Sequence, residues 1–104
     1  LELATPPTAI IAGSDLMALG VINAVQEQGL RVGEDVAVVG FDDTPLAEHA
    51  RPSLTTLRQP TYDIGQQVCH LLIQLVKGEQ PAECQILINP TLIVRESTRR
   101  ISNE

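Results

Sequence analysis

The feature that most constrains the fold is a pair of short apolar runs separated by a helical pattern. Residues 8–12 (TAIIA) and 36–40 (VAVVG) are each typical of a strand that is buried on both faces. The segment between them predicts a helix up to about Gln28, with Gly29 suited to end it. This order and spacing predict a right-handed βαβ unit with two parallel strands.

The predicted first helix carries two apolar stripes instead of one. The stripe expected to face the sheet consists of Met17, Val21, Ala24 and Val25. The second stripe consists of Leu16, Leu19 and Ile22. A helix on a sheet needs only one apolar stripe, so the second predicts a further cover, either a missing segment or a partner subunit.

The rest of the chain continues the alternation of strands and helices. A helix is predicted at 45–49, a strand at 54–57, a helix capped by Thr61 over 61–77, and strands at 85–88 and 91–95. A length of 104 residues fits one domain or part of one. We therefore predict an α/β fold with a mainly parallel sheet and flanking helices.

Polar residues follow the first two strands, where ligands of open α/β sheets bind. Residues 13–15 (GSD) follow the first strand, and 41–43 (FDD) follow the second. The Asp42 carboxylate can accept hydrogen bonds from ligand hydroxyls or amides, and capping the turn is its alternative role. We interpret Asp43 as a turn residue and Asp15 as a helix cap, whereas Ser14 fits either a cap or a ligand contact.

Charge and composition exclude several classes of function for this chain. Seven Lys and Arg against 13 Asp and Glu give a net charge of −6, which disfavours direct contact with nucleic acid. We interpret Arg95, Arg99 and Arg100 as a solvated tail. Apolar runs fall short of the ~20 residues that a membrane helix needs, so no membrane partner is expected. Two cysteines, Cys69 and Cys84, favour a reducing compartment.

Neither catalysis nor a cofactor is expected. Cys69 and His70 point about 100° apart on a helix, which is poor geometry for a metal site. The sequence has no Ser/His/Asp set and no glycine-rich phosphate loop. Adjacent aspartates at a strand end also occur in phosphoacceptor domains, but that alternative lacks a suitable lysine. We predict no enzyme, no cofactor and no metal.

Several motifs in fixed order carry a family resemblance. PTAIIAGSDLMALG, DVAVVGFDD, PSLTTLRQP and the ending PTLIVREST resemble the C-terminal part of the effector-binding domain of LacI/GalR transcription regulators. The resemblance covers the chain from Pro7 to Thr98. It implies part of a periplasmic-binding-protein-like domain of two lobes, with a small effector bound between them. It also implies a cytoplasmic homodimer that binds operator DNA through an N-terminal helix-turn-helix outside this sequence.

The resemblance assigns segments and residues of this chain. Residues 7–57 would belong mostly to the C-terminal lobe, 58–60 to a crossing, 61–88 to the other lobe, 89–98 to the closing strand and 99–104 to a tail. Ser14, Asp42 and Gln59 would contact the effector, a sugar or a nucleoside-like molecule, although Gln59 also fits a structural role. Five residues would lie at the dimer seam: Leu19, Ile22, Asn23, His49 and Ala50.

Two functions are therefore consistent with the sequence. The first is the effector-binding and dimerisation part of a LacI-type regulator, expected to be a repressor. The second is a periplasmic sugar-binding protein of a transport system, which has the same two-lobe architecture. The segment PSLTTLRQP favours the regulator because it resembles the crossing of that family.

Overall fold

The structure is a computed structural model that describes residues 4–80 and 86–99. Its elements are β1 (Ala9–Ile11), α1 (Asp15–Glu27), β2 (Ala37–Phe41), α2 (Pro45–His49), β3 (Thr55–Arg58), α3 (Thr61–Val76), β4 (Thr91–Ile93) and a final 3-10 helix (Glu96–Thr98). The chain forms two compact units. Unit 1 contains the chain up to Arg58 and again from Leu92 onward, and unit 2 is Gln59–Thr91.

The strands form one sheet in the order β1-β2-β3-β4. Strands β1 and β2 are parallel, with Ile10 opposite Val38, and β2 and β3 are parallel, with Gly40 opposite Thr56. The predicted α/β class with a mainly parallel sheet is confirmed. The predicted strand at 85–88 is wrong where it can be checked, because residues 86–88 are not in a strand, and Gln85 lies outside the described residues.

The buried face of α1 differs from the predicted one. Its buried residues are Asp15, Ala18, Ile22 and Val25, a spacing of three, four and three positions. The predicted stripe is wrong at Met17, which is 64% exposed, and at Ala24, which is also exposed, although Val25 is buried. The buried face of α1 includes the inward-facing side chain of Asp15. A search for apolar positions leaves out this charged residue and therefore places the buried face on the wrong side of the helix.

The prediction that both apolar strands are buried on both faces is wrong for β1 and holds for one face of β2, because Ala37, Val39 and Phe41 are only half-buried. Val38 in β2 is fully buried, whereas Ile11 in β1 is 77% exposed. Strand β1 lies at the end of the sheet and pairs with β2 alone in the part that the structure describes. An end strand lacks neighbours on one side, so an apolar composition indicated the strand but not its cover.

The core of unit 1 lies between the sheet, α1 and α2. Leu54 is its largest fully buried side chain. The other members are small or β-branched: Ala12, Ala18, Ile22, Val38, Ala47 and Ala50. Small side chains let both helices approach the sheet closely, which is consistent with a chain that has few aromatic residues.

Ser97 in the 3-10 helix connects this helix to the sheet. Its side chain is fully buried, and its hydroxyl donates to the Val38 carbonyl at 2.5 Å and accepts from the Thr55 amide at 2.8 Å. We expect Ser97→Ala to lower the free energy of unfolding by about 1–3 kcal/mol, because a buried amide and a buried carbonyl each lose a partner.

Urea-induced unfolding of the full-length protein measures this change. Ser53→Ala is a matched control, because it removes the same hydroxyl at an exposed site. The Ser53 hydroxyl donates to the Glu96 carboxylate and accepts from the Glu96 amide. A loss for Ser97→Ala no larger than that of the control would contradict the structural role of Ser97.

Unit 2 is built on α3. The N-cap of this helix is Pro60 and not Thr61, which is instead its first residue. The helix ends at Val76, two residues before Gly78, which has a φ of +80°. The predicted helix at 61–77 is therefore correct to within one residue. Within the described residues no α3 side chain is buried, and Val68, Leu72 and Leu75 are 55–59% exposed. None of the helices in the described ranges is long and apolar enough to cross a membrane.

Candidate effector site at the carboxyl edge of the sheet

The carboxyl ends of β1, β2 and β3 meet at one edge of the sheet, because these strands are parallel. We call the polar residues at or just after these ends the rim of unit 1: Ser14, Asp15, Asp42, Asp43, Thr44 and Arg58. Three connections of different length therefore bring polar groups to the same edge, where ligands of parallel sheets bind.

Ser14 is the N-cap of α1. Its hydroxyl accepts a hydrogen bond from the Met17 amide at 3.2 Å, and its backbone is extended. This contact satisfies one of the amides that a helix start leaves without a partner. The capping role open to Ser14 is therefore present, and its contact with a ligand stays a prediction.

Asp15 is not the helix cap that the sequence predicted. Its side chain is 1% exposed, and its two oxygens accept three hydrogen bonds. Oδ2 accepts from the Thr44 amide at 2.6 Å and from the Thr44 hydroxyl at 2.9 Å, and Oδ1 accepts from the Thr56 hydroxyl at 2.7 Å. The carboxylate thus connects the end of β1 to the loop after β2 and to β3.

Gly40 provides the space that the Asp15 side chain occupies. A Cβ atom at position 40 would lie 2.5 Å from Asp15 Oδ1 and 2.8 Å from Leu54 Cδ2. Both distances are shorter than real Cβ contacts. The close approach explains why the apolar run of β2 contains a glycine immediately before Phe41.

Asp42 and Asp43 adopt an uncommon backbone conformation. Their φ angles are +106° and +55°, in the region that non-glycine residues seldom occupy. Three successive amides hold them there. The Asp42 amide donates to the Leu57 carbonyl at 2.9 Å, the Asp43 amide donates to Thr56 Oγ1 at 3.3 Å, and the Thr44 amide donates to Asp15. Such strain persists only where the surroundings fix it, and it occurs often at ligand sites.

Asp43 binds two arginines. Its Oδ2 lies 2.7 Å from Arg58 Nε, and its Oδ1 lies 3.0 Å from Arg95 Nη1. Partial burial raises the pKa of Asp43, but hydrogen bonds and positive charges from Arg58 and Arg95 outweigh it and hold the pKa below its ordinary value. Asp43 is therefore an ion-pair centre as well as a turn residue.

Arg95 corrects a second prediction. Its side chain is only 17% exposed, and Nη1 also donates to the Leu54 carbonyl at 3.0 Å. The interpretation of Arg95 as part of a solvated tail is wrong, whereas Arg99 is exposed as predicted. Arg100 and Cys84 lie outside the described residues.

The Asp42 carboxylate is the exposed carboxylate of the rim, since Asp15 is buried and Asp43 is half-buried. Its backbone is fixed by the loop contacts, so little conformational freedom is left to lose when a ligand binds. An ionised carboxylate accepts strong hydrogen bonds from hydroxyls or amides. Among the described residues, no group of three or more His, Cys, Asp and Glu side chains could hold a metal ion.

Gln59 is the first residue of unit 2, immediately after β3. Its side chain is half-buried, and its carbonyl accepts from the Thr61 amide at 2.8 Å. The bond belongs to the turn into α3. A ligand contact of the Gln59 side chain stays a prediction.

The five residues predicted for a dimer seam fall into different environments. Ile22 is 2% exposed and Ala50 is 9% exposed, and both belong to the core of unit 1. Asn23 and His49 are exposed, and Leu19 is half-buried against the core. Two further apolar side chains of α1 are open to solvent, since Leu16 is 70% and Met17 64% exposed. The seam itself stays a prediction.

The sequence interpretation missed five contributors to the rim: Gly40, Thr44, Thr56, Arg58 and Arg95. Thr44 follows the aspartate pair directly, and a hydroxyl after two carboxylates could have signalled a local network. Thr56 was assigned only to a strand. Its side chain is fully buried, so it needed a polar partner, which Asp15 supplies.

Comparisons with known proteins extend this description. A family model of the periplasmic binding protein-like domain matches residues 1–98. The chain is 41% identical over 101 residues to the HTH-type transcriptional repressor CytR of Escherichia coli (strain K12). The matched region covers 97% of this chain and 30% of CytR. The chain thus spans 28–30% of the length of curated relatives such as CytR and the regulator CelR of Thermobifida fusca.

Solved structures agree with the fold. The lac repressor dimer bound to operator and the anti-inducer ONPF superposes with a TM-score of 0.80 at 41% identity, covering 89% of this chain and 28% of the repressor chain. A complex of the transcriptional regulator CelR with cellobiose gives a TM-score of 0.79 at 42% identity, covering 86% of this chain and 28% of that chain.

Proposed function

Because this chain belongs to the periplasmic binding protein-like domain family, we propose that it is part of the effector-binding domain of a LacI-type transcription regulator. The observation that carries the proposal is the rim, where one exposed carboxylate, Asp42, stands on a backbone fixed by three amide hydrogen bonds. The relatives compared above are regulators, the class that the segment PSLTTLRQP favoured.

The effector is a polar small molecule of the sugar or nucleoside class. Asp42 accepts hydrogen bonds from its hydroxyls, and Ser14 and Gln59 supply further polar contacts. The complex of CelR with cellobiose, a relative at 42% identity, supports a sugar as one member of this class. A carboxylate discriminates strongly against analogues that lack the matching hydroxyl, because it would then be left without that donor.

The regulator acts as a cytoplasmic homodimer. Exposed apolar residues of α1, with Asn23 and His49, provide the surface that the second subunit covers. Operator DNA is bound by another part of the whole protein, since a net charge of −6 disfavours contact with phosphates here. Effector binding changes operator affinity because the effector binds one conformation of the protein better than the other.

We expect Asp42→Ala in the full-length protein to lower effector affinity at least about tenfold, the effect of losing one or more charge-assisted hydrogen bonds. Operator binding without effector should stay within about twofold, because the Asp42 side chain is not part of the core. Isothermal titration with the effector and fluorescence anisotropy with operator DNA measure the two quantities.

Glu48→Gln is the matched control, since it removes one negative charge from an exposed position on α2. It should leave both affinities unchanged. Equal effector affinity in wild type and Asp42→Ala would remove Asp42 from the site.

The second candidate is a periplasmic sugar-binding protein of a transport system. This candidate is supported by the matching family, a periplasmic binding protein-like domain, because it indicates the same architecture as such receptors. Sequence-specific DNA binding distinguishes the two functions, because only the regulator binds an operator. The relatives named above favour the regulator, and the proposal contains no catalytic step.

A further inference from the structure

The chain passes out of unit 1 once and returns once. It leaves after Arg58, the last residue of β3, and it returns at Leu92 in β4. We call residues 57–60 and 91–95 the two connecting segments. Arg58 lies in the first of them and Arg95 in the second.

Both arginines bind the same carboxylate. Arg58 Nε lies 2.7 Å from Asp43 Oδ2, and Arg95 Nη1 lies 3.0 Å from Asp43 Oδ1. The Asp43 side chain is 8% exposed, so the carboxylate that holds both cations is largely shielded from solvent. The second segment is fixed further, because the Arg95 amide donates to Thr55 Oγ1 at 2.7 Å and Arg95 Nη1 donates to the Leu54 carbonyl.

The two ion pairs differ in strength. The Arg58 side chain is 58% exposed, so solvent screens its pair with Asp43 and reduces its contribution. The Arg95 side chain is 17% exposed, and loss of Asp43 would leave its charge poorly solvated. The second connecting segment should therefore respond more strongly to loss of the carboxylate than the first.

Asp43 also shares a peptide bond with Asp42. The amides of Asp42, Asp43 and Thr44 donate to the Leu57 carbonyl, Thr56 Oγ1 and Asp15, so the backbone at positive φ is held in place and has little freedom to absorb a displacement. A ligand that pulls on the Asp42 carboxylate thus acts one residue away from the group that holds both segments.

From these contacts we infer that Asp43 is a positioning residue that couples the effector contact at Asp42 to both connecting segments. The inference rests on the proposed function for the role of Asp42. The ion-pair clamp itself does not depend on it. Through the clamp, a change at one side chain of the rim reaches the two places where the chain joins unit 1 to unit 2.

Hydrogen–deuterium exchange of the full-length protein, without ligand, tests the clamp. Asp43→Asn keeps the size of the side chain but removes its charge. We expect exchange to become at least about tenfold faster at amides of 91–95, with a smaller increase at 57–60, because the more buried cation loses more. Asp35→Asn is the matched control, since it removes the carboxylate of the exposed pair with Arg31. Unchanged exchange, or a change in one segment alone, would overturn the clamp.

A second arm tests the coupling with cellobiose, lactose, cytidine and adenosine as probes at millimolar concentration. A probe that binds wild type should slow exchange in both segments. In Asp43→Asn the same probe should still bind but slow exchange in neither. Protection of both segments in the variant would overturn the coupling. If no probe binds wild type, the proposed effector class is wrong, whereas the exchange without ligand still decides the clamp.

Discussion

Asp15→Ala is expected to lower the free energy of unfolding by roughly 3–5 kcal/mol. The carboxylate is 1% exposed and accepts from the Thr44 amide, the Thr44 hydroxyl and the Thr56 hydroxyl. Hydrogen bonds to a charged group contribute about 1.5–3 kcal/mol each, so losing three outweighs the relief of removing a buried charge. The two hydroxyls can rotate toward other acceptors, but the Thr44 amide cannot.

Two further variants separate this role from helix capping. Ser14→Ala removes the actual N-cap contact to the Met17 amide and should cost about 0.5–2 kcal/mol. Asp15→Asn keeps the volume and one acceptor oxygen, which can face the Thr44 donors while the NH2 group donates to the Thr56 hydroxyl. It loses only the charge, so its cost should fall between the other two. Urea-induced unfolding ranks the three variants. If Asp15→Ala costs no more than Ser14→Ala, the carboxylate does not hold the loop together.

Loss of Asp15 should also affect the effector site. Without its acceptor, the Thr44 amide no longer fixes the end of the segment that carries Asp42 and Asp43. The strained φ angles of both aspartates would then relax, since strain persists only while the surroundings fix it. We expect the Asp15 variants to bind effector more weakly in proportion to their loss of stability, which would distinguish them from the Asp42 variant.

Local features of the fold could be predicted from the sequence because the residues that determine them are neighbours. Helix α3 was predicted over 61–77 and is observed at Thr61–Val76, because its apolar period and Gly78 lie within one segment. Helix α2 was predicted at its observed bounds, Pro45–His49. Strand β2 differs by one residue at each end. Periodicity, proline and glycine were sufficient for these elements.

The rim could be located from the sequence but not constructed from it. Parallel strands placed residues 13–15 and 41–43 at one edge, which was enough to select Asp42. The partners of Asp15 lie 29 and 41 positions away along the chain, and a carboxylate at a helix start has a sufficient local explanation as a cap. Arg95 was misassigned for the same reason, because its partner Asp43 is distant in sequence and close only in the folded sheet.

Burial was the least predictable property. An apolar run indicates a strand, but whether a strand is covered depends on elements elsewhere, and Ile11 is 77% exposed in an apolar run. Conversely, Thr55, Thr56 and Ser97 are polar and buried, because each finds a hydrogen-bond partner from another element. Tertiary contacts thus decided burial for residues whose own chemistry suggested the opposite.

Gly40→Ala is expected to destabilise the protein by about 3 kcal/mol, near the upper end of the cost of overpacking a core. The new Cβ would lie 2.5 Å from Asp15 Oδ1 and 2.8 Å from Leu54 Cδ2. Neither neighbour can withdraw easily, since Asp15 is held by hydrogen bonds and Leu54 is fully buried. Displacing Asp15 would loosen the Thr44 and Thr56 contacts, so effector affinity should fall together with stability.

Gly20→Ala provides an internal comparison with the same chemical change. Gly20 lies within α1, and a Cβ there would meet nothing within 4 Å. This substitution should stabilise the protein by about 0.5–1 kcal/mol, because alanine loses less backbone entropy than glycine in a helix. Urea-induced unfolding of the two variants should therefore give changes of opposite sign. A neutral or stabilising effect of Gly40→Ala would mean that the Asp15 carboxylate is free to move, and the arrangement that holds Asp42 at the rim would have to be abandoned.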